Sequence, residues 1–87
     1  MSRVEICNQR GLHARASAAF SRMAQEYDSV IAVERAGMSA DGKSIMELLS
    51  LGASKGLEIV ISADGPDEDA ALAALSALVE DRFGEDV

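Results

Sequence analysis

The chain has 87 residues, 48% of them hydrophobic and 26% charged, and a net charge of −7. That composition excludes a disordered chain, and the length leaves room for one domain, residues 1–87. The negative charge excludes nucleic acid as a main partner, the lack of a long apolar run excludes a membrane span, and the single Cys7 excludes an internal disulfide, so a soluble cytoplasmic protein is expected.

With no Trp, one Tyr and two Phe, the core must be built from aliphatic residues and Ala. Residues 3–7 alternate polar and apolar and predict a first strand, with Cys7 a packing residue in it. Residues 8–11 are a loop. Residues 16–27 predict a helix with Ala16, Phe20, Met23, Ala24 and Tyr27 on one stripe, while Ser17 and Arg22 lie away from it. Residues 30–33 and 38–40 predict two more strands around the turn at Ala36 and Gly37.

Ser44 followed by Glu47 is a capping-box pattern, so a short helix opens there and Gly52 stops it. Residues 57–63 predict a fourth strand with Leu57, Ile59 and Ile61 on one face. Asp64, Gly65, Pro66 and Asp67 turn into a last helix over residues 67–83. Its first-turn acids suit the helix dipole, and Ala71, Leu75, Leu78 and Val79 form its buried stripe. This order predicts an α+β fold, one sheet with helices on one face.

From Asp64 onward there are eight acidic residues against one basic, and before it the two signs balance. Several basic residues fall close to the only histidine. A surface divided in this way suggests one face for docking and another for solubility.

The stretch Gly11, Leu12, His13, Ala14, Arg15, Ala16, Ser17 carries the chemistry. It sets a lone imidazole just before a helix N-terminus, with an Arg two residues on. Free N–H groups and the helix dipole favour an anion there. A guanidinium pairs with phosphate oxygens. An imidazole is a nucleophile near neutral pH and forms covalent phosphoryl intermediates. The positive helix end and Arg15 disfavour imidazolium before transfer and stabilise the phosphate after it. Read without further context, such a His is more often a cap or a surface residue.

The same stretch resembles the active-site signature of the HPr family, the phosphocarriers of the phosphoenolpyruvate-dependent phosphotransferase system. The resemblance continues through Gly42, Lys43, Ser44, Ile45 and Met46, through residues 51–56, and through residues 64–68. It runs in order over essentially the whole chain. It implies an open-faced β-sandwich, a four-stranded antiparallel sheet covered on one face by three helices.

The resemblance also implies site roles. His13 accepts a phosphoryl group on Nδ1 from enzyme I, and Arg15 with the N–H groups of Ala14 and Arg15 holds it. Acceptors are enzyme IIA-type proteins. Ser44 is the target of an ATP-dependent HPr kinase, and Ile45, Met46, Leu49 and Arg22 dock partners. For Ile45 a core position is as good a reading. No cofactor or metal is implied, and a monomer is expected. Ala16 stands where the family often has Pro, which leaves the helix start less rigid. In this the chain resembles the alphaproteobacterial or nitrogen-branch type.

Two other readings stand beside the carrier. A regulatory module of the same fold, acting through its phosphorylation state, would not need His13 and Arg15, yet both are present. A ferredoxin-like metallochaperone would need more ligands than one Cys and one His.

Overall fold

The computed structural model describes residues 1–87. In chain order the elements are β1 (Ser2–Glu5), α1 (Ala14–Ala24), β2 (Val30–Arg35), β3 (Met38–Asp41), α2 (Ile45–Ser50), β4 (Glu58–Asp64) and α3 (Glu68–Glu80). A short 3-10 turn, Arg82–Gly84, follows α3. The strands form one antiparallel sheet in the order β1-β4-β2-β3. β4 enters between β1 and β2, so the two strands that flank α1 in sequence are not neighbours in the sheet.

Alternation decides which face is covered. Val4, Ile31, Val33, Ala40, Ile59 and Ile61 point to the helices and are buried. From the helices, Ala16, Phe20 and Ala24 of α1, Leu48 of α2, and Ala71, Leu75 and Val79 of α3 meet them in one core cluster. Phe20 is fully buried and is the largest such side chain, so truncating it to Ala would cost about 3–5 kcal/mol. The opposite face stays open. Arg3 and Glu58 pair across it at 3.8 Å with both side chains largely exposed, a contact worth little.

Several boundaries differ from the sequence reading for physical reasons. α1 starts at Ala14, two residues early, because His13 caps it. It ends at Ala24, and Tyr27 packs half-buried from the turn that follows. Ser17, expected off the apolar stripe, is fully buried, as is Ser21 nearly so. Each hydroxyl satisfies itself on a backbone carbonyl: Ser17 Oγ donates to Leu12 O at 3.2 Å and Ser21 Oγ to Lys43 O at 2.8 Å. A polar residue with a local acceptor can thus sit on a buried stripe.

The capping box at α2 is half formed. Ser44 Oγ accepts from the Glu47 N–H at 3.3 Å, but Glu47 Oε1 accepts from the Asp41 N–H at 2.9 Å. The Ser44 N–H is already taken by Asp41 O in the tight turn. The last helix stops at Glu80, not at residue 83. Arg82, Phe83 and Gly84 all have positive φ, at 57°, 55° and 80°, and this left-handed turn reverses the chain. Phe83 still reaches the core and is 7% exposed. Cys7 lies just past β1, where its thiol donates to Val79 O at 3.3 Å, a packing role.

Candidate functional site

The loop from Asn8 to Leu12 sets His13 in place. Gly11 has φ 65°, and a Cβ there would lie 2.5 Å from Ala53 O and 2.8 Å from Ser54 Cα. Only glycine allows that approach. The Leu12 N–H then donates to Ala53 O at 2.8 Å, and the buried Leu12 side chain pins the loop. Buried Asn8 closes it from inside, with Nδ2 donating to Gly11 O at 2.8 Å.

His13 is the N-cap of α1, with extended backbone, φ −79° and ψ −174°. Its Nδ1 accepts from the Arg15 N–H at 3.3 Å. The Ala14 N–H makes no hydrogen bond within the chain, so one orphan donor of the helix start stays open beside the ring. Arg15 is exposed, one residue into the helix. The structure therefore brings His13, Ala14 and Arg15 together at one helix N-terminus.

One partner of the histidine went unread in the sequence. Glu85 Oε2 lies 2.5 Å from His13 Nε2, and Glu85 Oε1 accepts from Asn8 Nδ2 at 2.9 Å. An N–H donor at Nδ1 requires a lone pair there, and a carboxylate at Nε2 requires a proton there. The two bonds select the Nε2–H tautomer. Burial works to raise the Glu85 pKa, but the Asn8 and His13 hydrogen bonds outweigh it. Coulomb attraction from the His13 ring when charged and from Arg15 adds to them, and the carboxyl is held below its ordinary value. It is ionised at neutral pH.

This placement limits the divided surface expected from the charge pattern. Two of the C-terminal acids, Glu85 and Asp86, fold back onto the basic site, while Asp67, Glu68 and Asp69 stay at the start of α3. Arg10 and Arg15 on one side and residues 83–87 on the other line a depression of about 430 Å³. Glu85 escaped the sequence reading because it lies 72 positions from His13 and looked like one more acid in an acidic tail. The signal that was available is Gly84, a left-handed terminator directly before it.

Ser44 caps α2 and is half-buried. Of the residues beside it, Ile45 is 41% exposed and Met46 75%, Leu49 is half-buried, and Leu48 is fully buried. Ile45 thus faces out, and the core alternative for it falls. Arg22 is exposed near the end of α1. The two helices are tied where Ser21 Oγ meets Lys43 O, which sets the later part of α1 beside the start of α2.

A family model described as the PTS HPr component phosphorylation site matches residues 1–81. Phosphocarrier protein HPr of Cupriavidus necator is 45% identical over 80 residues, 92% of this chain and 90% of that one. Phosphocarrier protein NPr of Shewanella violacea is 40% identical over 82 residues, 94% and 90% of the two chains. The solved structure of HPr-C-His from Thermoanaerobacter tengcongensis superposes with a TM-score of 0.94 at 43% identity, covering 99% of this chain and 97% of that one. That structure carries the same open-faced arrangement of four antiparallel strands and three helices. With the family model spanning nearly the whole chain and relatives alike over nearly their full length, this protein belongs to the HPr family of phosphocarrier proteins.

Proposed function

We propose that residues 1–87 act as one phosphocarrier domain. It takes a phosphoryl group from enzyme I onto His13 Nδ1 and passes it to enzyme IIA-type acceptors. The observation that carries this reading is the ring itself: Nε2 is occupied by Glu85, while Nδ1 keeps its lone pair at the start of α1. A phosphoryl group on Nδ1 would lie against the open Ala14 N–H, the helix dipole and the exposed Arg15 guanidinium. The chain is a carrier, consumed and regenerated, and needs no cofactor. It works as a monomer in the cytoplasm.

Partners dock on the exposed apolar side chains Ile45 and Met46, with half-buried Leu49 and exposed Arg22 at the margin. A phosphate placed on Ser44 by an HPr kinase would sit at the start of α2 and leave the helix folded. It would bring two negative charges to the edge of the docking patch. Relatives named HPr and NPr match at similar identity, 45% and 40%. Ala16 in place of the family's usual Pro carries the likeness to the nitrogen-related branch, while the relatives of higher identity are named HPr.

Incubation with enzyme I and phosphoenolpyruvate, followed by mass measurement, tests the carrier reading. The protein should gain one acid-labile phosphoryl group, and His13→Ala should gain none. Full labelling of His13→Ala would overturn it.

A further inference from the structure

The carboxylate at His13 Nε2 comes from the far end of the chain and is held from several directions. Asn8, fully buried, donates to Glu85 Oε1 and to Gly11 O with the same amide nitrogen, so it belongs to the loop that carries His13. Phe83 anchors the segment in the core, and the Glu85 N–H is taken by Arg82 O at 2.9 Å. The Glu85 side chain is 13% exposed and that of His13 23%. A chance ion pair between two surface side chains would have none of these supports. Glu85 also lies outside residues 1–81, the span matched by the family model.

We infer that Glu85, fixed by Asn8, is a positioning residue for His13. It keeps the ring proton on Nε2 and offsets the positive charge the ring gains when Nδ1 bonds phosphorus. The inference rests on the proposed transfer to Nδ1 and deepens it. In that step the Arg15 N–H lets go of Nδ1, the Nδ1 lone pair forms the N–P bond, and the electron pair of the bond from phosphorus to the donor leaves with the donor. No proton is lost, because Nδ1 carries none, and the Nε2 proton stays. The ring passes from neutral to cationic, and the Glu85 carboxylate is already beside the atom that carries the proton. A buried carboxylate that orients an imidazole and stabilises its cation is the role Asp plays in a Ser-His-Asp triad. Passing the phosphoryl group on reverses the change and returns a neutral Nε2–H imidazole. Arg15 stays exposed and free to pair with the phosphate, since Glu85 makes its bonds to Asn8 and His13.

Two variants, Glu85→Gln and Glu85→Ala, test the inference. Each is assayed for phosphorylation by enzyme I and phosphoenolpyruvate, with kcat and KM separated. The unphosphorylated proteins are examined by nitrogen NMR of the ring. In the parent the ring proton should reside on Nε2 and exchange slowly with water. In Glu85→Ala that proton should exchange fast, and kcat should fall about tenfold with KM nearly unchanged, the loss expected for one charge-assisted hydrogen bond to a reacting group. Glu85→Gln keeps an acceptor without the charge and should fall between the two. A merely structural residue would alter melting without moving the ring proton. A parent ring protonated on Nδ1 would overturn the inference, as would a kcat equal to or above the parent's in both variants. If the parent took no phosphoryl group at all, the carrier reading would fail by itself, and the ring spectrum would still decide where Glu85 holds the proton.

Discussion

Arg15 and Ala14 separate what a side chain does at the site from what the backbone does. The Ala14 N–H is open to any anion that reaches the helix start, whatever the side chains are. The Arg15 guanidinium is exposed and makes no ion pair in the structure. It supports neither core nor helix. Arg15→Glu should therefore leave the melting temperature within a few degrees of the parent. It should slow phosphoryl transfer about 100-fold or more, because a site arranged for an anion then holds a like charge. Single-turnover transfer and a thermal melt measure the two effects, and an unchanged rate would leave the backbone donors as the sole phosphate ligands.

At the scale of elements, the loop before α1 and the turn before α2 make opposite demands. Gly11 has no room for a methyl group, and its φ of 65° is a left-handed conformation. Gly11→Ala should lose about 2–4 kcal/mol in urea unfolding, from backbone strain together with overlap on Ala53 O and Ser54 Cα. It should also slow transfer, since His13 hangs from the same loop. Ser44 tolerates change better. In Ser44→Asp a carboxylate still accepts from the Glu47 N–H and suits the helix dipole. Asp41 and Glu47 nearby add some repulsion, so a small drop in melting temperature, about 1–4 °C, is expected. The larger effect should be a raised KM for this protein as a substrate of enzyme I, because the new charge must be desolvated beside Ile45 and Met46. Unchanged kinetics and melting would remove any regulatory role for Ser44.

Much of this was legible in the sequence, and the exceptions share a cause. Every strand and helix was signalled by its own residues: alternation for β4, the Ser44 and Glu47 pattern for α2, spaced apolar residues for α1 and α3. The motif placed His13 and Arg15 at a helix start. Buried Ser17, the diverted Glu47 side chain and the Glu85 contact were missed because each depends on a group brought close by the fold. Leu12 O for Ser17 and Asp41 N for Glu47 are near in sequence but need the turn built first. Asn8 and His13 are more than 70 positions from Glu85, and no periodicity links them.

On the scale of the whole molecule, carboxylates tie distant segments together, and this makes stability respond to acid. Asp67 Oδ1 accepts from the Ser29 hydroxyl and the Ser29 N–H, and Oδ2 from the Asp28 N–H, joining the start of α3 to the start of β2. The Ser29 hydroxyl, then the Asp28 N–H, lower the Asp67 pKa below its ordinary value despite some opposing desolvation. The Glu85 pKa is also lowered. A carboxyl with a lower pKa folded than unfolded stabilises the fold above its unfolded pKa, and that contribution is lost as pH falls through the folded one. Melting temperature should therefore hold steady near neutral pH and drop below about pH 4, where ordinary carboxyls take up protons. Asp67→Asn should melt lower than the parent at neutral pH, and the gap should close toward pH 2. A gap that stayed constant with pH would remove Asp67 from the account.

The bond from Asn8 to Glu85 joins positions 77 apart in an 87-residue chain, which bears on the order in which the protein assembles itself. Closing so long a loop is favourable only after most intervening contacts exist. β2 and β3 meet through a turn of two residues, whereas Glu85 must wait for α3 to dock and for the left-handed turn at Phe83 to form. The Glu85 contact to His13 is thus expected to form late in folding. A half-folded chain that has formed the start of α1 has its histidine and the local Arg15 N–H contact to Nδ1, but not the carboxylate at Nε2.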